Sequence, residues 1–64
     1  MSAYKELSEY FSDKSNRRAS VIKELGTNKY IVRFINDAGS VFSTTYESED
    51  EAEQYAEEWV YEKS

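Results

Sequence analysis

Carboxylates are the side chains of this sequence best suited to chemistry, and they crowd into its last third. Half of the sixteen positions from 47 to 62 are acidic, namely Glu47, Glu49, Asp50, Glu51, Glu53, Glu57, Glu58 and Glu62. A pair such as Glu53 and Glu57, one helical turn apart, has the spacing for acid–base work. The sequence has no His and no Cys, and Ser43 and Ser48 have no evident base to activate them. We therefore expect a protein that is not an enzyme.

Metal binding is the second chemistry that these carboxylates suggest. Asp37, Glu47, Glu49 and Asp50 supply the oxygen ligands that Ca²⁺ and Mg²⁺ prefer, but their spacing fits no EF-hand loop. Turn and helix-cap chemistry accounts for the same residues, and zinc lacks its usual His and Cys ligands. We expect no metal and no cofactor.

The length of the chain limits it to one small domain, spanning residues 1–64. Domains of this size lie near the lower limit for folding alone, and no disulfide can form here. Ten aromatic residues supply much of the area that can be buried. No apolar run approaches the roughly 20 residues of a membrane span, so we expect a cytoplasmic protein.

The first half of the chain predicts a helix, two strands and a turn. Ala3, Tyr4, Leu7, Tyr10 and Phe11 have the spacing of one helical face, so residues 3–12 are predicted as a helix with Ser2 as its N-cap. Residues 13–16 are polar and predict a loop. Residues 18–25 and 29–36 predict strands, and Gly26-Thr27-Asn28 between them predicts a tight turn.

A hairpin is predicted around Asp37-Ala38-Gly39, with Gly39 in the left-handed conformation and residues 40–46 as the third strand. Pairing outward from this loop gives one aromatic face, on which Phe34 faces Phe42, Val32 faces Thr44 and Tyr30 faces Tyr46. The other face is mixed, with Ile35 facing Val41, Arg33 facing Ser43 and Ile31 facing Thr45. We expect the aromatic face to form the core.

The last segment predicts an amphipathic helix. Ser48 and Glu51 form an S-x-x-E capping box. Apolar residues then follow at helical spacing, namely Ala52, Tyr55, Ala56, Trp59 and Val60. We expect Tyr55 and Trp59 to lie over Phe34 and Phe42. The predicted fold is α+β, a three-stranded antiparallel sheet flanked by N- and C-terminal helices in the order α-β-β-β-α.

This order, with the run from Tyr30 to Phe34, the turn at Gly39 and the Ala52-Glu53-Gln54-Tyr55-Ala56 segment, resembles the double-stranded-RNA-binding domain. The resemblance implies the same topology and a role in RNA binding. The lysines of that family at the start of its last helix are replaced here by Glu49, Asp50 and Glu51. Because phosphate contacts dominate duplex RNA recognition, we expect the topology without the RNA binding.

In general style, the chain is also similar to the small acidic accessory proteins of tailed bacteriophages, which implies binding to one host protein in the host cytoplasm.

Charge is divided unevenly along the chain. Residues 1–33 contain seven basic and four acidic side chains, and residues 34–64 contain one basic and nine acidic ones. Such asymmetry favours a cationic partner over nucleic acid or membrane.

We therefore predict a small interaction module whose acidic helix surface, comprising Glu49, Glu53, Glu57 and Glu58, meets a basic patch on a partner protein. The alternative is a nucleic-acid-binding domain that uses Arg17, Arg18, Lys29 and Arg33.

A second prediction concerns self-association. If both helices cover the aromatic face, Ile31, Ile35 and Val41 remain exposed, and a homodimer would bury them. If the first helix packs on the mixed face instead, this patch is closed.

Overall fold

Four antiparallel strands followed by one helix form the fold of residues 3–61, the part of the chain that the structure, a computed structural model, describes. The strands are β1 (Tyr4–Ser12), β2 (Arg17–Glu24), β3 (Lys29–Ile35) and β4 (Val41–Tyr46), and the helix is α1 (Glu49–Tyr61). Each strand pairs with the next in sequence, so the sheet order is β1-β2-β3-β4. The fold is α+β, with the helix on one face of the sheet.

The predicted helix over residues 3–12 is wrong, because this segment is strand β1. It pairs with β2 from Tyr4 opposite Glu24 to Ser12 opposite Arg17, with a register shift between Glu6 and Ser8. Such a bulge inserts one residue, so side chains three positions apart can point to the same face of a strand. Leu7 and Tyr10 both pack towards the core in this way, and their spacing imitates that of a helix.

This correction removes both the α-β-β-β-α order and the resemblance to the double-stranded-RNA-binding domain. The sheet has four strands instead of three, and α1 is the single helix of residues 3–61. The predicted N-cap Ser2 and the last acidic residue, Glu62, lie outside the described residues. The turn after β1 is confirmed as a polar loop, and its Asn16 adopts the left-handed conformation with φ 56°.

The hairpin of β3 and β4 has the register predicted from the sequence. Phe34 lies opposite Phe42 and Tyr30 opposite Tyr46. Gly39 has φ 86°. The side-chain oxygen of Asn36 accepts hydrogen bonds from the backbone N–H groups of Ala38 (3.0 Å) and Ser40 (2.9 Å). These bonds form within five residues, so the loop chemistry was sufficient to set the pairing.

Helix α1 begins at the predicted cap. The Ser48 Oγ atom accepts a hydrogen bond of 3.2 Å from the Glu51 N–H, and three acidic residues lie in the first turn, where the helix dipole favours them. The helix buries its small side chains, Ala52, Ala56 and Val60. Within residues 3–61, no helix has the length and apolar character needed to cross a membrane.

The core lies between α1 and one face of the sheet, which we call the helix face. Its buried members are Ala19, Val21, Val32, Phe34, Ala52, Ala56 and Val60. The Trp59 ring packs edge-on against Phe34 (5.0 Å between centroids) and Phe42 (5.6 Å), as predicted. The prediction is wrong for Tyr55, which stacks instead on Tyr46 at 5.2 Å.

Candidate protein-interaction surface

The second face of the sheet, which we call the open face, is covered by no element of residues 3–61. Side chains alternate along a strand, and the pairing registers place the following residues on this face: Tyr4, Glu6, Glu9, Phe11, Arg18, Ser20, Ile22, Glu24, Lys29, Ile31, Arg33, Ile35, Val41, Ser43 and Thr45. The face therefore combines apolar groups with an equal number of acidic and basic side chains.

Two isoleucines form the apolar centre of the open face. Ile22 and Ile31 lie directly opposite each other on β2 and β3, and each is half-buried although no helix lies above them. They form the floor of a shallow depression of about 370 Å³, which Tyr4, Arg33 and Ser43 complete. Four strands thus contribute to one depression, and an arginine and a tyrosine are among the residues that line it.

The predicted self-association patch is on this face, but its members are not contiguous. Ile35 and Val41 lie opposite each other at one end, and Val41 is 59% exposed. Ile31 lies four residues along β3, and the exposed Arg33 separates it from Ile35 on the same face. Ile31 groups with Ile22 instead of with Ile35.

Sequence reasoning missed Tyr4, Phe11 and Ile22 as members of the open face. The helical spacing of residues 3–12 predicts a helix for Tyr4 and Phe11, and this prediction hides their position on a strand. Tyr4 is 54% exposed and Phe11 is 44% exposed. The Arg18 guanidinium lies 5.5 Å from the Phe11 ring centroid, a cation–π distance. Alternation along residues 18–25 places Ile22 on the side of the strand away from Ala19 and Val21, but joining that side to the mixed face of the hairpin required the pairing of β2 with β3.

The four residues of the predicted basic cluster are divided between the two faces. Arg17 points to the helix face, where its Nη1 atom donates a hydrogen bond of 3.0 Å to the Trp59 carbonyl. Arg18, Lys29 and Arg33 are on the open face, and Lys29 lies opposite Glu24. With Glu6 and Glu9 on the same face, the basic residues form no continuous cationic surface. Of the residues predicted for nucleic-acid binding, Arg18, Lys29 and Arg33 therefore share one face, and Arg17 lies on the other.

The acidic helix residues are also divided. Glu53 Oε2 accepts a hydrogen bond of 3.5 Å from Ser8 Oγ on β1, and Glu53 and Glu57 are half-buried. Glu49 is exposed in the first turn. Glu58, on another side of the helix, accepts a hydrogen bond of 3.4 Å from Gln54 Nε2. The predicted acidic surface is thus divided into a row against β1, formed by Glu53 and Glu57, and two separate carboxylates, Glu49 and Glu58.

The row of carboxylates changes the electrostatics of β1. Burial raises the pKa of Tyr10, and the negative charges of Glu53 and Glu57 raise it further, while a hydrogen bond with Ser8 opposes the shift. Burial also raises the pKa of Tyr46, and Tyr55 and Glu51 add to the effect. Both tyrosines are therefore held more firmly in their neutral form.

The candidate metal ligands lie at opposite ends of β4, with Asp37 before the strand and Glu47 after it. Six residues of strand separate them by roughly 20 Å. Among residues 3–61, no group of three or more His, Cys, Asp or Glu side chains is arranged to hold a metal ion. Ser48 Oγ is engaged as the helix cap.

Comparisons with known proteins give no relative from which a role could be transferred. No protein-family model matches the chain, and no match is found among curated proteins or solved structures.

Proposed function

We propose that this protein is a non-enzymatic interaction module that binds another protein through the open face of its sheet. The observation that carries the proposal is the depression over Ile22 and Ile31, an apolar centre left uncovered in a molecule that packs its other sheet face. A sheet with two apolar faces is usually packed on both. Exposed apolar surface with a polar rim is characteristic of protein contact sites.

The partner that fits is an element with an apolar stripe bordered by charges of both signs. Its stripe would cover Ile22 and Ile31, and a carboxylate at its border would meet Arg33. Arg is favoured at contact sites because its planar group binds carboxylates with two parallel hydrogen bonds. Tyr4 adds a large, rigid contact group at little entropic cost.

From the acidic helix we infer a second, basic surface on the same partner. The chain has a net charge of −5, and Glu49 and Glu58 are available beside the row against β1. Long-range attraction of this kind acts mainly on the association rate and weakens with salt. Glu49→Gln and Glu58→Gln should therefore slow association, while the dissociation rate changes little.

Affinity capture from a lysate of the protein's native cells, compared between matched variants, tests the proposal. Ile22→Thr and Ile31→Thr keep the β-branched shape that strands prefer and remove apolar area from the open face. Leu25→Thr removes exposed apolar area from the β2–β3 turn and is the control. We expect both face variants to lose a partner that the wild type and the control retain, and the captured amount to fall at high salt. A set of bound proteins that is identical for all four versions would refute the proposal.

A further inference from the structure

The outer edge of β4 pairs with no other strand of residues 3–61. Strand Val41–Tyr46 contains no charged residue and no Pro, and its register with β3 runs without a shift from Tyr30–Tyr46 to Ile35–Val41. Its first five side chains are exposed. An edge strand that is neutral, regular and rich in β-branched and aromatic residues is a template for pairing with another strand.

The other edge of the same sheet, β1, is protected by two devices. Lys5, Glu6 and Glu9 place charges along it, and the bulge between Glu6 and Ser8 breaks the regular spacing of its backbone groups. Charges and bulges are the means by which natural sheets block edge pairing. The contrast between the two edges singles out β4.

The hydrogen bonding of the hairpin shows which backbone groups of β4 point outward. The Asn36 N–H donates to the Ser40 carbonyl at 3.1 Å, so these two residues form a hydrogen-bonded pair. Such pairs alternate along an antiparallel ladder, so β3 engages residues 42, 44 and 46. The N–H and C=O groups of Val41, Ser43 and Thr45 therefore face outward, away from β3.

The geometry points to a second copy of this chain as the partner of the β4 edge, paired antiparallel about a twofold axis at Ser43. In this register Ser43 faces Ser43 of the partner subunit, and Val41 faces Thr45 of the partner subunit. All three outward residues of each copy then find backbone partners. Both helices lie on the same side of one continuous eight-stranded sheet, because directly opposite residues share a face.

Side chains beside the edge fit this self-pairing. Phe42 (46% exposed) and Tyr55 (47% exposed) flank β4 on the helix face, and Val41 flanks it on the open face. In the proposed register Phe42 lies diagonally across from Phe42 of the partner subunit, within reach of an aromatic contact. The pairing would bury apolar groups that the monomer exposes.

Of the surfaces on which two copies could meet, the neutral β4 edge adds the least charge repulsion. Two copies of a chain with net charge −5 repel each other, and β4 is a neutral line along which they can approach. Salt screens this repulsion, so the dimer should tighten as salt increases. Capture of a basic partner should weaken under the same change, and the two associations are thereby distinguishable. The open face remains free in the dimer, so this inference does not depend on the proposed function.

Sedimentation velocity over a range of protein concentrations is the first test. We expect a reversible monomer–dimer equilibrium. Ser43→Pro removes the outward N–H of each copy without removing a bond to β3, and two lost hydrogen bonds should raise the dimer dissociation constant roughly 30-fold. Ser43→Lys places like charges opposite each other across the axis and should also weaken the dimer, whereas Ser43→Gln should not. Circular dichroism checks that each variant is folded.

Cysteine cross-linking tests the register. The chain has no Cys, so each introduced thiol is the only one. Hydrogen-bonded antiparallel pairs have Cα atoms about 5.5 Å apart, within disulfide range, and Ser43→Cys should form a covalent dimer on mild oxidation. The two copies of position 45 are more than about 13 Å apart in this register, so Thr45→Cys should remain uncross-linked.

Three results would overturn the inference. The first is a monomer at every concentration and salt level, and the second is a dimer that Ser43→Pro and Ser43→Lys leave intact. A dimer abolished by Ile31→Thr but not by the Ser43 variants would likewise overturn it, because the copies would then associate through the open face.

Discussion

The Arg17 guanidinium joins the start of β2 to the end of α1. Its Nη1 atom donates a hydrogen bond of 3.0 Å to the Trp59 carbonyl, and its Cζ atom lies 5.0 Å from the Trp59 ring centroid. Ser15 Oγ donates to the Val60 carbonyl at 2.8 Å. The last turn of α1, as far as Tyr61, contains no basic residue of its own, so the β1–β2 turn supplies the groups that satisfy its carbonyls.

Replacing Arg17 by Ala should therefore destabilise the fold. Loss of a charge-assisted hydrogen bond and of a cation–π contact should lower the free energy of unfolding by about 2 kcal/mol. Urea denaturation measures this. Arg18→Ala is the matched control, since Arg18 is exposed on the open face and should cost less than about 1 kcal/mol. Equal losses for the two variants would contradict the capping role.

The two glycines should respond to Ala in opposite directions. An added Cβ would meet nothing within 4 Å at either position, so backbone conformation decides the sign. Gly39 has φ 86°, a left-handed conformation that is unfavourable for a residue with a Cβ atom. Gly39→Ala should therefore lower the free energy of unfolding by about 1 kcal/mol. Gly26 does not have a positive φ. Gly26→Ala should therefore raise the free energy of unfolding by up to about 1 kcal/mol, because alanine reduces the conformational entropy of the unfolded chain. Thermal unfolding of both variants is the measurement, and a shift in the same direction would argue against this account.

The rings of Phe34 and Phe42 stack with their centroids 5.0 Å apart, so the two residues share one contact but differ in burial. Phe34 is buried and Phe42 is half exposed. Phe34→Ala leaves a cavity beneath Trp59 and should cost roughly 3–5 kcal/mol, enough to unfold much of a small domain. Phe42→Ala should cost clearly less. The urea midpoint should therefore be lower for Phe34→Ala than for Phe42→Ala. The opposite order would mean that the β4 edge is buried in solution.

Stability should fall above about pH 10, the ordinary pKa of a tyrosine. The pKa of Tyr10 is raised in the folded state, so its contribution is complete below the unfolded-state value and is lost as pH rises through the folded one. Urea unfolding of the wild type and Tyr10→Phe from about pH 8 to about pH 11 measures the difference. The wild type should lose stability more steeply than the variant. Parallel curves would show that Tyr10 does not contribute.

Local signals were sufficient for the second half of the chain. The Asn36–Ser40 loop set the β3–β4 register, and Ser48 with Glu51 marked the start of α1. Each of these features depends on residues within five positions of one another, so tertiary packing had nothing to override. The turn at Asn28, with φ 58°, belongs to the same group.

The first strand shows where local reasoning failed. Leu7 and Tyr10 have the spacing of a helix, but a bulge between Glu6 and Ser8 gives the same spacing in a strand. Only pairing with β2 distinguishes the two. Once residues 3–12 become β1, the sheet gains an edge and the open face gains Tyr4 and Phe11. The site could not be assembled before that strand was placed.

From its sequence alone, the chain determined its net charge, its central hairpin and its capped acidic helix, since these depend on composition and on neighbouring residues. The tertiary structure decided that β1 is a strand, that Arg17 closes the helix instead of joining a basic cluster, and that one sheet face stays uncovered within residues 3–61. These outcomes depend on contacts between residues that are up to 20 positions apart in the β1–β2 pairing and 42 apart in the Arg17–Trp59 hydrogen bond. The energy of such contacts is set by packing that no local pattern records.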